Sequence, residues 1–552
     1  LENPQLWSCE SPQLYNAEVV VTADGMVVDS LTEQFGIRSL EFSPEFGFKL
    51  NGKKIFLQGN ANHHDLGALG ATCYDKAIER MMLQLKSFGY NCIRCSHNPY
   101  SDSFARIADR VGILVVDELT DKWSDNDYWG GRQPFTHIWH KLITEWIKRD
   151  RNRPSIILWS LGNELQIREG WAGFEGTNDW GITTYNIFNQ LVKRWDHTRL
   201  TTVAMFPARA GAITRHDKEF NDYLVPPELA CATEVASFNY QSDKYDAYLK
   251  YRPDLILFQS EAETSNLLQP YYNMDKERMV GIAYWGSVEY WGESNKWPKK
   301  GWNYSFFEHT MRPYPQAYLI KTAFMPEIPE VHIGVVDAAG AESVSWNDVI
   351  VGRMALNECW NHTPGSRRSL FTFTNAHSVE LLVNGQSMGI QKNDTTRANL
   401  RNMIYWKDVP YGNGGSVVAI ARDKSGKEVA RHRIETAGKA VALRIEAETP
   451  TDWKADGMDL QYINVTVIDK KGRPVWDYNE PLTLQMEGAA RLVALDNGDH
   501  YTDELFHGIT SKRMYQGRMQ IILRSDQEAG NVTVKISSAG LKGTLRLKTI
   551  KE

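Results

Sequence analysis

The sequence predicts a multidomain protein built on a (β/α)8 barrel, or TIM barrel, flanked by β-sandwich domains. Three observations predict it. Between about residues 44 and 325, eight short apolar runs alternate with stretches of helical periodicity, which is the arithmetic of that barrel over roughly 250 residues. Past about residue 328 the helical pattern vanishes, and two stretches follow with alternating apolar and polar positions and Asn-Gly turns. Residues 1 to about 43 read as a few strands, too short a piece to close a sandwich. The expected domains are therefore 1–43, a partial sandwich; 44–327, the barrel; and 328–440 and 441–552, two further sandwiches.

The elements follow in order. YNAEVVVTA (15–23) and MVVDSLTEQFG (26–36) flank the turn Asp24-Gly25. In a truncated sandwich these strands are expected to be exposed edges. The eight runs are IFLQGN (55–60), CIRC (92–95), ILVVDE (113–118), IILWSLGNE (156–164), TTVAM (201–205), VASFNY (235–240), LILFQSE (255–261) and GIAYWGS (281–287). Helices are expected over 74–89, over 101–112 with Ser101 as cap, and over 137–154 and 183–197. A doubly wound sheet is the rival topology, but LQGNANHH after the first run is not the Gly-rich phosphate loop it normally carries. Further on, a hairpin is expected around Asn384-Gly385, and strands in ALRIEAE, LQYINVTVIDKKG and NVTVKISSAG.

Composition narrows the function. The chain has 552 residues, 42% hydrophobic and 24% charged, with a net charge of −6 and no basic block, which argues against nucleic acid and against an anionic membrane surface. No apolar run approaches the ~20 residues a bilayer requires. Six scattered cysteines make no disulfide framework, and Cys92 and Cys95 read as packing residues of a strand. Asp496-Asn-Gly-Asp499 reads as a tight turn, since it lacks the further spaced acids of a calcium loop.

The site is read from what the strand ends deliver, because the C-terminal ends of barrel strands share one face. The first gives Asn62, His63, His64 and Asp65; the second Arg94, His97 and Asn98; the third Asp117 and Glu118; the fourth Asn163 and Glu164. The sixth gives Asn239 and Tyr240, the seventh Glu261 with Glu263 close behind, and the eighth Trp285 and Glu289. A core has no use for so many polar groups. Two carboxylates from facing strands suit glycoside hydrolysis, one protonated to assist the leaving oxygen, the other ionised to attack the anomeric carbon. Arg94 and Tyr240 are the candidates for holding the nucleophile ionised. A metal reading of His63-His64-Asp65 competes with a hydrogen-bonding histidine in a sugar pocket, and lacks a third spaced His or Cys for zinc.

These residues also carry a family resemblance. NPQLWSCESPQLYNAEVVV, FGIRSLEF, GFKLNGKKIFLQGNANHHDLGALG, GYNCIRCSHNPYSDSFARIADRVGILVVDE and SIILWSLGNE resemble glycoside hydrolase family 2, the group of β-galactosidases, β-glucuronidases and β-mannosidases. The resemblance implies immunoglobulin-like sandwiches around the barrel, and a sugar-binding domain upstream of residue 1. It implies Glu164 as acid/base, Asn163 on the sugar 2-hydroxyl, and Glu261 as nucleophile hydrogen-bonded by Tyr240, with Glu263 as rival. It places Arg94, His97 and His63 in the substrate site and Trp285 under the sugar; Asn98, from the same strand end as Arg94 and His97, is a further substrate-binding candidate. Glu289 stands where the family commonly has an Asp before Tyr, a position that often touches sugar. The family's Mg2+-binding members use a Glu and a His where this chain has Lys122 and Ser124, so no metal is expected, and no organic cofactor. No Asn-x-Lys of the glucuronidase type is found. The expectation is a retaining exo-β-glycosidase acting on β-galactosides of oligosaccharides, periplasmic or secreted, with oligomerisation left open. A β-glucuronidase, a β-mannosidase and a non-catalytic glycan-binding barrel are the alternatives.

Overall fold

The computed structural model describes residues 1–123, 135–165, 181–206, 226–264, 268–294, 296–337, 342–346 and 349–551. The chain forms two compact units. One comprises Leu1–His64, Leu85–Glu263 and Pro270–Trp285; the other comprises Asp65–Gln84, Thr264–Gln269 and Gly286–Glu552.

The first unit holds a closed barrel of eight parallel strands: Leu57–Asn62, Cys92–Cys95, Leu114–Glu118, Ile156–Asn163, Leu200–Met205, Val235–Asn239, Leu257–Ala262 and Gly281–Trp285. Each pairs with its neighbours in sequence, and the eighth closes on the first, from Gly281 opposite Leu57 to Trp285 opposite Ala61. All eight expected runs are strands. Both faces of these runs are covered, which is why they are continuously apolar rather than alternating. The first and seventh start two residues later than the sequence suggests. Ile55 N–H is taken by Phe48 O in the preceding hairpin, and Leu255 N–H closes a turn on Arg252 O.

Helix Asp102–Val111 opens as expected: Ser101 Oγ accepts from Phe104 N–H at 3.2 Å, and Gly112 ends the helix at φ 76°. Helices Phe135–Asp150 and Ile182–Trp195 are the other two the spacing predicts in this unit. Behind the fourth and fifth strands, Arg199 donates to Ile156 O at 2.7 Å, to Arg153 O at 2.8 Å and to Asp196 Oδ2 at 2.5 Å. Asp196 in turn accepts from Trp159 Nε1 at 2.9 Å, so one buried ion pair anchors the base of the strand that ends in Asn163. At the N-terminus, Tyr15–Ala23 and Met26–Phe35 form a two-stranded hairpin on an Asp24-Gly25 turn with both residues at positive φ. Val19, Val20, Val21, Val27, Val28 and Leu31 are exposed on it.

The second unit contains antiparallel sheets. Leu356–Asn357, Val331–Val336, Arg367–Thr374 and Met403–Pro410 form one sheet; Gln386–Lys392, Ser378–Val383, Ser416–Arg422 and Glu428–Glu435 form another. Their shared core includes Trp360, Leu370, Leu381 and Trp406. The predicted hairpin turns at Asn384-Gly385, both at positive φ. The remaining strands, from Ala440–Ala447 to Leu541–Lys548, make two four-stranded sheets around Trp453, Ile463, Val465, Ile521 and Val534.

Candidate active site

The C-terminal ends of the barrel strands gather a buried polar cluster. Arg94, on the second strand, is its hub. Its Nη1 donates to Glu261 Oε1 at 2.7 Å, its Nη2 to Glu118 Oε2 at 2.7 Å and to Asn163 Oδ1 at 2.9 Å, and its Nε to Glu118 Oε2 at 3.1 Å. One planar guanidinium thus fixes side chains from the third, fourth and seventh strands, a task its fork of five N–H groups suits and an ammonium does not. Glu118 also accepts from Ser160 Oγ at 2.6 Å and meets His97 Nδ1 at 2.6 Å.

Glu261 receives a second donor, Tyr240 O–H, on Oε2 at 2.7 Å. Tyr240 and Glu164 both follow a strand end with a backbone in the left-handed region, φ 58° and 49°, which turns each side chain out of the strand's alternation. Asn239 Nδ2 bridges Glu164 Oε1 at 3.1 Å and Asn163 Oδ1 at 3.0 Å, and Ser260 Oγ holds Asn239 Oδ1 at 2.8 Å. Asn163 Nδ2 donates to Asp121 Oδ1 at 3.0 Å. Glu164, Asn163, Arg94 and Glu261 therefore belong to one connected network. His97 lies flat against Trp285, 5.2 Å between centroids and 7° between planes, and His63 meets the same indole edge-on at 5.1 Å.

Glu261 stands above the ordinary carboxylate value: burial raises it and the charge of Glu164 adds to that, together outweighing Arg94, His97 and the Tyr240 hydroxyl, which lower it. Burial also works against a charged Glu118, yet Arg94 and His97 hold it below the usual range. Burial pulls His97 down, but its hydrogen bond to Glu118 and the charges of Glu118 and Asp121 raise it overall. The chemical potential of this arrangement is clear: one carboxylate braced by a cation and a phenol, another braced by a neutral amide, in a low-dielectric pocket.

His63, Arg94, His97, Asn163, Glu164, Tyr240, Glu261 and Trp285 are thus brought together. Two expected residues are not part of this cluster. Asn98 is exposed, with Nδ2 donating to Pro99 O at 2.9 Å. Glu289 is buried in the second unit, where Tyr314 O–H donates to its Oε1 at 2.6 Å and His309 Nδ1 meets its Oε2 at 3.1 Å. The Asp65 carboxylate accepts from Gly67 N–H at 2.8 Å and Trp291 N–H at 3.2 Å. Ser124 lies outside the described residues, while Lys122 Nζ binds Asp121 Oδ1 at 2.6 Å and Asn163 O at 3.1 Å. Asp117, next to Glu118, points the other way and accepts from Trp146 Nε1 at 2.6 Å. Asp121 and Ser160 escaped sequence reading. Asp121 lies three residues past a strand, and Ser160 sits inside an apolar run.

The family model for the TIM barrel domain of glycosyl hydrolases family 2 matches residues 45–278. That for glycosyl hydrolases family 2 matches 1–38, and that for C-terminal domain 5 of glycoside hydrolase family 2 matches 443–545. A domain of unknown function (DUF4982) matches 365–430. Over 98% of its length the chain is 27% identical to β-galactosidase BoGH2A of Bacteroides ovatus, covering 67% of that protein. It is 44% identical over 99% of its length to a putative β-glucuronidase of Formosa agariphila, of which it spans about half, 54%. A crystal structure of a glycosyl hydrolase family 2 member from Bacteroides cellulosilyticus superposes with a TM-score of 0.83 at 29% identity, over 99% of this chain and 68% of that one.

Proposed function

The chain belongs to glycoside hydrolase family 2, and from that footing we propose that it is a retaining exo-β-glycosidase releasing terminal β-galactose by double displacement. Glu261 attacks the anomeric carbon as the glycosidic C–O bond breaks, and Glu164 gives its proton to the departing oxygen. Water then attacks the same carbon, Glu164 takes its proton, and the ester bond to Glu261 breaks to restore the carboxylate. Asn163 addresses the sugar 2-hydroxyl beside Glu164, and the buried Asn239 amide positions both side chains. Trp285 offers the sugar an apolar face, with His97 and His63 on its borders. The observation that carries the reading is the convergence of Arg94 and the Tyr240 hydroxyl on Glu261, while Glu164 shares a neutral amide with Asn163. Charge-assisted donors favour the ionised form, the state a nucleophile needs. The same convergence favours Glu261 over Glu263.

A galactoside is preferred because the described cations of the site are committed inward: Arg94 to Glu118, Glu261 and Asn163, and Lys122 to Asp121 and Asn163 O. Neither is left to pair a substrate carboxylate. A β-glucuronidase is the second reading, favoured by the name of the 44%-identical relative. Among the described residues no helix is long and apolar enough to cross a membrane; a periplasmic or secreted location belongs to the proposal. A panel of nitrophenyl β-glycosides, run with wild type and Glu164→Gln, tests it. Turnover of the β-galactoside, lost in the variant, is expected. No turnover of any β-glycoside would leave a barrel that only holds glycan.

A further inference from the structure

We propose that Glu289, His309 and His500 form a binding site for one divalent transition-metal ion of the zinc class within the second unit. The three side chains are buried, 1%, 4% and 3% exposed. One ligand atom of each lies within 4.8 Å of the others. His309 Nδ1 is 3.1 Å and His500 Nδ1 3.3 Å from the same carboxylate oxygen, Glu289 Oε2. Ligands held about 2.0–2.1 Å from a tetrahedral zinc ion sit roughly 3.3–3.4 Å apart, so these separations are those of neighbouring ligands around a metal.

Three further features point the same way. His500 Nδ1 faces Glu289 Oε2 at 3.3 Å, while its Nε2 has no hydrogen-bond partner among the described residues, although the imidazole is buried. Such an orphan is costly unless something else satisfies it. Trp291 stacks on His500 at 5.1 Å and 26°, which fixes the ring's plane. Behind His309, Asp496 Oδ1 lies 2.9 Å from Nε2. A carboxylate that accepts a hydrogen bond from the outer N–H leaves the inner nitrogen bare and aimed, the usual backing of a metal-bound histidine. The turn expected at Asp496-Asn-Gly-Asp499 is present, with Gly498 N–H on Asp496 Oδ1 at 3.0 Å, and that same turn holds this orienting carboxylate in place. The donor set, two imidazoles and a carboxylate, suits zinc and its neighbours over magnesium or calcium.

A second group, His332, Glu358 and His432, has comparable spacing but the wrong tautomer. His432 Nδ1 accepts from Ile333 N–H at 3.1 Å, so its proton sits on Nε2, the nitrogen that faces Glu358 at 4.0 Å. A ligand needs that nitrogen bare. This group therefore serves as the internal control.

The test uses the full chain, stripped with chelator and titrated with Co2+ as the probe. One Co2+ per chain is expected, with visible d–d bands that Zn2+ abolishes. His500→Gln should abolish the bands, Asp496→Asn should weaken Co2+ binding about 10–100-fold, and His432→Gln should leave it unchanged. Absence of stoichiometric Co2+ binding by the wild type overturns the proposal without any variant. So does full binding by His500→Gln, or loss of binding in His432→Gln with His500→Gln intact. Because the measurement reads metal and not glycoside turnover, its failure would leave the glycosidase reading standing, and the reverse holds too.

Discussion

At the level of single side chains, Arg94 holds Glu118 and Glu261 at once while its own side chain is only 1% exposed. Removing one partner of such a buried cluster leaves an uncompensated charge, which typically costs about 3–5 kcal/mol. Arg94→Met is expected to lose about that much stability in denaturant titration. Arg94→Lys keeps the charge but cannot form the fork, and should lower kcat while restoring part of the stability. The two carboxylates separate by leaving group. Glu164→Gln should slow hydrolysis of an alkyl galactoside by about 10²–10⁴-fold, the range of general acid–base catalysis. It should scarcely slow the first step with dinitrophenolate, which leaves without a proton. Glu261→Gln should abolish both reactions, and Glu263→Gln should stay within a few-fold of wild type. Wild-type rates in Glu261→Gln with loss in Glu263→Gln would reverse the assignment of the nucleophile.

At the scale of elements, the Asp196–Arg199 pair anchors the strand that delivers Asn163. Burial raises Asp196, but Arg199 and Thr198 outweigh it and lower it from 3.8 to about 2. A folded value below the unfolded one stabilises at pH above 3.8, and that stabilisation is lost as pH falls through about 2. Asp196→Asn should therefore cost on the order of 2 kcal/mol at pH 7. The gap to wild type should shrink between pH 4 and pH 2, followed by urea unfolding; a gap independent of pH would contradict the linkage. The strands themselves were legible because apolar runs closing on a polar pair are rare in a core. Their offsets were not, because Ile55 and Leu255 are taken by local turns that no periodicity reveals. Glu289 shows what a linear reading does not reveal: its partners Tyr314, His309 and His500 come from later in the chain. It follows Trp285 by four residues, with Gly286 between them at φ 62°. Asp121 left no pattern at all, since a loop acid looks like any solvated charge.

For the whole molecule, family membership restricts the reaction more than the sugar. The relatives named above carry both β-galactosidase and β-glucuronidase titles. The inward commitment of Arg94 and Lys122 predicts that kcat/KM for nitrophenyl β-galactoside exceeds that for the β-glucuronide by at least ~10-fold, an interaction difference of about 1.4 kcal/mol. The reverse ratio would transfer the chain to the second reading without disturbing the two-carboxylate chemistry. That chemistry is tested most directly by covalent trapping. A 2-deoxy-2-fluoro-β-galactosyl donor with a good leaving group forms the glycosyl-enzyme quickly and releases it slowly. Peptide mass mapping should then place the sugar on Glu261. A label on any other residue, or inactivation with no label at all while galactoside is still hydrolysed, would contradict the proposed displacement.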